Sequence, residues 1–229
     1  MKRLLVALLF LTFTVPALAG ETQLEKATNV VNEIMRAPDK GIPQELLDKA
    51  VCVGIVPSEL KVAFIVGGTY GRGVLVCRKG GDGPWDAPSM FTLGAGSVGF
   101  QIGGKATDIV FLVMNPEGAT KLVQDSVKVG AQLSAAAGPV GRSAEGATDI
   151  QLHAEILSYS RARGLFAGLS LDGALIKQHK EDNEILYGRK ISAKDILING
   201  EVAAPQSARP LDETLAKYSP KGGQPFARA

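Results

Sequence analysis

The sequence predicts a β-rich α+β fold: a mostly antiparallel, curled sheet, sandwich- or barrel-like, with peripheral helices. Three observations predict it. Short β-rich runs recur through the middle of the chain, separated by Pro, Gly or charged turns. Helical spacing is confined to short segments around and between them. Many of the 27 glycines fall inside strand candidates, where they mark bulges, bends or the close approach of another backbone.

The elements follow in order. Thr22-Gln23-Leu24-Glu25 is a capping-box pattern, and Leu24, Ala27, Val30, Val31, Ile34 and Met35 form one apolar stripe at helical spacing. Pro38 and Gly41 stop that helix. Pro43, at a first helical position, begins a short second helix through Ala50. Val51–Val56, Val62–Val66 and Val74–Cys77 read as strands, as does the glycine-rich run Phe91–Ile102. Ile109–Met114 is continuously apolar and reads as a buried strand. Pro116 to Gln124 reads as a helix, and Val127–Ala137 as a strand of small residues. Ile150, Leu152, Ala154 and Ile156 alternate with polar residues, the period of a half-buried strand. Leu165–Ile176 is expected to pair with it across the Arg163-Gly164 region. Glu181–Leu186 and Ala193–Ile198 read as short helices. From Ala203 onward, Pro205, Pro210 and Pro220 among polar residues predict a loose tail.

The ends and the charge bound the function. Lys2 and Arg3, the apolar run Leu4 to Phe13 and Ala17-Leu18-Ala19 have the layout of a secretory signal cleaved after Ala19. The apolar run is shorter than the ~20 residues that a membrane span needs. The expectation is an exported chain, periplasmic or extracellular. The domains then read as 1–19 signal peptide, 20–50 helical segment, 51–202 folded domain and 203–229 tail. The formal charge of +2 falls to zero once Lys2 and Arg3 are removed. A nucleic-acid partner, which needs a clustered basic footprint, is not expected. Cys52 and Cys77 both fall in strand candidates. An oxidising compartment allows a disulfide between them, and two buried free thiols are the alternative.

Little points to catalysis. Gly94-Ala95-Gly96-Ser97-Val98-Gly99 matches Gly-x-Gly-x-x-Gly, but a dinucleotide site needs a helix after it, and here Phe100-Gln101-Ile102 continues as strand. Ala95 to Gly99 also lacks the first glycine of a nucleophile elbow. The only histidines, His153 and His179, read as surface residues. No metal spacing and no paired carboxylates emerge. The chain reads as a non-enzyme with no cofactor.

Residues 159–168, Tyr-Ser-Arg-Ala-Arg-Gly-Leu-Phe-Ala-Gly, are the most informative stretch. They resemble the SYLF family motif Tyr-Ser-x-Ser-Lys-Gly-Leu-Phe-Ala-Gly, with Ala162 and Arg163 in place of Ser and Lys. Val53–Pro57, Gly67–Leu75, Trp85-Asp86-Ala87-Pro88-Ser89, Gly99–Gly103, Gly138–Arg142 and Asn183 through Tyr187-Gly188 extend the resemblance in order over roughly residues 45–200. Trp85 itself reads as a packing residue, with a bilayer-interface anchor as the alternative.

The resemblance implies a lipid-binding domain, here a bacterial-type secreted member. SYLF proteins bind phosphoinositides and membranes, some bind or bundle actin, and an amphipathic segment before the domain contributes to membrane contact. The Leu24–Met35 helix occupies that place. For an exported chain the part retained is contact with anionic phospholipid headgroups or a membrane surface. Arg72, between Gly71 and Gly73, Arg142, after Gly141, and Arg161 and Arg163, before Gly164, are the candidate headgroup residues, because nearby glycines let a ligand approach the backbone. The bland account of each is a partner carboxylate. The runner-up function is a structural or protein-interaction module of the cell envelope, contacting partners through a sheet edge or the tail.

Overall fold

A computed structural model describes residues 18–36, 41–57, 68–96, 107–141, 153–162 and 165–220. It is an α+β fold built on one strongly curled sheet of nine described strands, a half-barrel. The strands are β1 (Cys52–Val56), β2 (Gly68–Cys77), β3 (Ser89–Gly96), β4 (Asp108–Val113), β5 (Ser126–Lys128), β6 (Ala135–Ala137), β7 (Ile156–Ala162), β8 (Leu165–Gly168) and β9 (Leu175–Gln178). Their order is β5-β9-β3-β2-β1-β4-β7-β6, with β8 also on β7. The pairings are antiparallel except β6–β7, which is parallel. The helices are α1 (Leu18–Met35), α2 (Gln44–Lys49), α3 (Pro116–Leu122), α4 (Lys180–Tyr187), α5 (Ala193–Leu197) and α6 (Arg209–Tyr218).

The sheet is covered on both faces, which is why β1 and β4 read as continuous apolar runs. Cys52 and Val56, Phe111 and Val113, and Ile176 face a core closed by α3 and α5. Val53 and Ile55, Val74 and Val76, Val110 and Leu112 face the opposite core, closed by α1, α2 and α6. Leu24, Ala27, Val30, Val31 and Ile34 of α1 are all buried there. The stripe that amphipathic spacing predicts therefore lies on the sheet, not on solvent. Cys52 and Cys77 sit directly opposite each other on β1 and β2 and are joined in a disulfide.

Several elements differ from the sequence reading. The capping-box residues lie inside α1, which already begins at Leu18. Pro43 is the residue before α2 rather than its first member. Val127–Ala137 is two short strands around a turn at Gly130, whose φ is +83°. Of the alternation before Ile156, residues 150–152 lie outside the described residues, and residues 153–155 are not strand, so that β7 starts at Ile156. Leu165–Ile176 divides at the Asp172-Gly173 turn into β8, on β7, and β9, which crosses to β3 and β5. The expected loose tail contains α6, with Pro210 in its first turn and Leu211 and Leu215 buried. The expected strand Val62–Val66 and the second half of Phe91–Ile102 lie outside the described residues, as does most of the expected signal segment.

Candidate functional site

The motif strand β7 changes partner midway along its outer edge. Ala135–Ala137 of β6 pair with Ile156–Ser158, and β8 pairs with Tyr159–Ala162. Ser158 makes the switch possible. Its carbonyl accepts from both Gly138 N and Leu169 N, each at 2.9 Å, and its hydroxyl donates to the Leu169 carbonyl at 2.7 Å. The two segments cross tightly: a Cβ on Gly168 would overlap the Gly138 carbonyl, and one on Gly138 would overlap the Tyr159 ring. Tyr159 is fully buried and stacks on Phe166, with ring centroids 5.3 Å apart. Burial pushes its phenol well above the ordinary tyrosine range.

At the open corner formed by this switch, Leu165 is 76% exposed. On the α1 face of the sheet, a cleft of about 310 Å³ is lined by Lys26, Asn29, Val30, Glu33, Pro57, Asp108 and Arg161. Arg161 Nη1 lies 2.7 Å from Asp108 Oδ2, and its Nη2 pairs with Glu33 of α1. Arg72, on β2, pairs with Asp182 of α4 at 3.4 Å, and its carbonyl accepts from Gln23 Nε2. Both arginines thus fasten helices to the same face of the sheet. Arg142 and Arg163 lie outside the described residues. The structure describes no four-arginine patch, and of the four it brings neither described arginine against the other.

Other motif residues hold the fold. Arg78, which sequence reasoning missed, is fully buried. It donates to the carbonyls of Ala50, Gly83 and Ser219 and to the Ser219 hydroxyl, and its guanidinium lies 4.0 Å from the Trp85 ring centroid. Burial lowers its pKa, opposed by Asp48. Trp85 Nε1 also donates to the Ser219 carbonyl at 3.0 Å, and the Ser219 hydroxyl donates to Asp48 Oδ1 at 2.6 Å. Asn183, also fully buried, accepts from Met90 N at 2.7 Å and donates to Ser89 Oγ at 3.1 Å, which ties α4 to β3. Tyr187 donates to the Pro88 carbonyl. The one sequence signal for Arg78 is a cation placed directly after an apolar strand.

The residues weighed for catalysis are scattered. Gly94 to Gly96 continue β3, Ser97 lies outside the described residues, and His153 is exposed. His179 precedes α4, and its Nδ1 accepts from Asp182 N at 3.2 Å. No group of three His, Cys, Asp or Glu side chains able to hold a metal occurs among the described residues.

A family model described as "Ysc84: Las17-binding protein actin regulator" matches residues 94–218. The chain belongs to the Ysc84 family. This is the SYLF family of the motif resemblance, and its matched segment runs through β7, β8 and α6. Relatives include an SH3 domain-containing protein of Schizosaccharomyces pombe, 39% identical over 178 residues, covering 76% of this chain and 40% of that protein. The human SH3 domain-containing YSC84-like protein 1 is 33% identical over 208 residues, with 88% and 60% covered. LAS seventeen-binding protein 3 of Saccharomyces cerevisiae is 35% identical over 200 residues, with 84% and 42% covered. The chain spans 40–60% of the length of these relatives, all eukaryotic. The family description and the name of the Saccharomyces cerevisiae relative give a Las17-binding role, and none of these names denotes an enzyme.

Proposed function

We propose that this chain is a non-catalytic protein-interaction module whose contact surface is the β7–β8 corner of the sheet. One observation carries the reading: among the described residues, Leu165 is the most exposed large apolar side chain and stands on a strand whose one partner strand is β7. An open edge of this kind accepts an extended segment of another chain, and an apolar side chain beside it adds an anchor. The relatives' names supply the partner class, a Las17-type protein of actin assembly. The test is titration of purified Las17 polypeptide, and co-sedimentation with actin filaments, for the wild type and Leu165→Asp. Saturable binding weakened tenfold or more by the substitution, at unchanged melting temperature, supports the reading. No binding to either, or equal binding by both proteins, rejects it.

The second reading is contact with an anionic phospholipid surface, favoured by the same hairpin: Leu165 follows Arg161 and Arg163 in sequence. An apolar residue that follows cations in sequence suits a headgroup boundary. No described helix is long and apolar enough to cross a membrane, and the α1 stripe is already buried. Sedimentation with phosphatidylserine vesicles, reversed by salt, supports this reading. Export belongs to the same picture and rests on residues 1–19 alone. Export and an actin-assembly partner occupy different compartments, so the fate of those residues divides the two.

A further inference from the structure

We propose that α6 is a pH-sensitive strap, docked most firmly on the acid side of neutrality and loosened on the basic side, with the shielded carboxyl of Asp212 in its first turn as the group that sets the transition. The strap is a peripheral helix of ten residues. Leu215 closes a small apolar cavity with Val31, Ile34, Leu47, Val53 and Val110. Its far end is fastened by Ser219 to Arg78, Trp85 and Asp48.

The near end is held differently. Asp212 lies in the first turn of α6, and its Oδ1 is shielded from solvent and meets no hydrogen-bond donor among the described residues. The groups that act on it are carboxylates: Asp86 from the segment before β3, and Glu213 beside it on α6. Tyr187 of α4 lies within the influence of both Asp212 and Asp86, but its phenol donates to the Pro88 carbonyl. Arg209, on the same helix, is paired with Glu213. From α1, Asn32 donates to Thr214 rather than to Asp212. A shielded carboxylate under the influence of two others favours the protonated form. Burial first, then Asp86 and Glu213, raise Asp212 to about 7. Its folded value lies above its ordinary one. The docked strap therefore holds the proton more tightly than the free strap. That contribution is fully present below the ordinary carboxylate range and is lost as pH rises through about 7.

The test uses the full chain and its single tryptophan. Trp85 bonds the strap's end, so its emission reports docking. Hydrogen exchange over residues 206–220, corrected for intrinsic rate, is measured from pH 5.5 to 8.5 in the wild type, Asp212→Asn and Asp86→Asn. The expected wild-type result is a tenfold or greater loss of protection in α6 with rising pH, a red shift of Trp85 emission, and unchanged protection in β1 and β4. Asp212→Asn stays protected throughout. Asp86→Asn, which keeps the titrating group, moves the midpoint to lower pH. Protection that is independent of pH in the wild type overturns the proposal. So does a wild-type slope in Asp212→Asn, or an unmoved midpoint in Asp86→Asn.

Discussion

Arg78 and Ser219, 141 residues apart, meet in a fully buried contact in which the guanidinium donates to both the carbonyl and the hydroxyl of the serine. The end of β2 and the end of α6 are thereby one structural unit, with Trp85 stacked on the cation.

Arg78→Ala leaves the carbonyls of Ala50, Gly83 and Ser219 without this donor in a largely buried site. The expected cost is about 3–5 kcal/mol, measured by urea denaturation. Arg78→Lys recovers only a small part, because an ammonium lacks the planar fork that serves three carbonyls. A substitution that shifts the midpoint by under ~1 kcal/mol speaks against the hub.

Thiol titration of the denatured, unreduced chain is expected to find no free thiol, since Cys52 and Cys77 are bonded. With a sequence separation of 25, reduction is expected to lower stability by roughly 3 kcal/mol. Two reactive thiols before reduction would reject the bond.

The arginines separate anchoring from headgroup contact. Arg161→Gln removes ion pairs to Asp108 and Glu33 and is expected to lower stability by about 1 kcal/mol. The triple variant Arg142→Gln, Arg161→Gln, Arg163→Gln weakens vesicle binding by roughly two orders of magnitude if each cation contributes ~1 kcal/mol at a charged membrane. A folded triple variant with wild-type vesicle affinity removes these residues from any lipid site.

Glu155 links α3 to the turn before β6, meeting Lys121 at 2.8 Å and Ser134 N at 2.8 Å. Burial pushes its pKa up, but the hydrogen bonds from Lys121 and Ser134 outweigh burial and hold it below the ordinary carboxylate value. Its contribution is therefore present above that ordinary value and is lost as pH falls through the lowered one. Acid denaturation of Glu155→Gln is expected to show a shallower loss of stability than wild type below pH ~5. Parallel curves for the two proteins would refute this.

Intact-mass analysis of exported material is expected to show residues 1–19 removed. A mass retaining Met1 to Ala19 favours the actin-assembly reading.

The sheet was legible where burial on both faces made continuous apolar runs, as in β1 and β4. It was misread where small residues suit several conformations, as in 127–137. The final helix was hidden by prolines: Pro210 marks its first turn, and only the four-residue spacing of Leu211 and Leu215 betrays the face it buries. For the arginines, sequence exposed the cations but not their partners. Asp108 stands 53 positions from Arg161, and Asp182 stands 110 from Arg72. Which carboxylate lies opposite which cation is decided by strand register and helix docking.

The pairing of α1 with α6 joins an early stretch of the chain to a late one. During synthesis the apolar stripe of α1 stays unsheltered by α6 until residue 218 has left the ribosome, and Ser219 reaches Arg78 only after that. For most of its translation the chain therefore carries an open hydrophobic seam, available to a holding chaperone or to a translocation channel that requires its cargo unfolded.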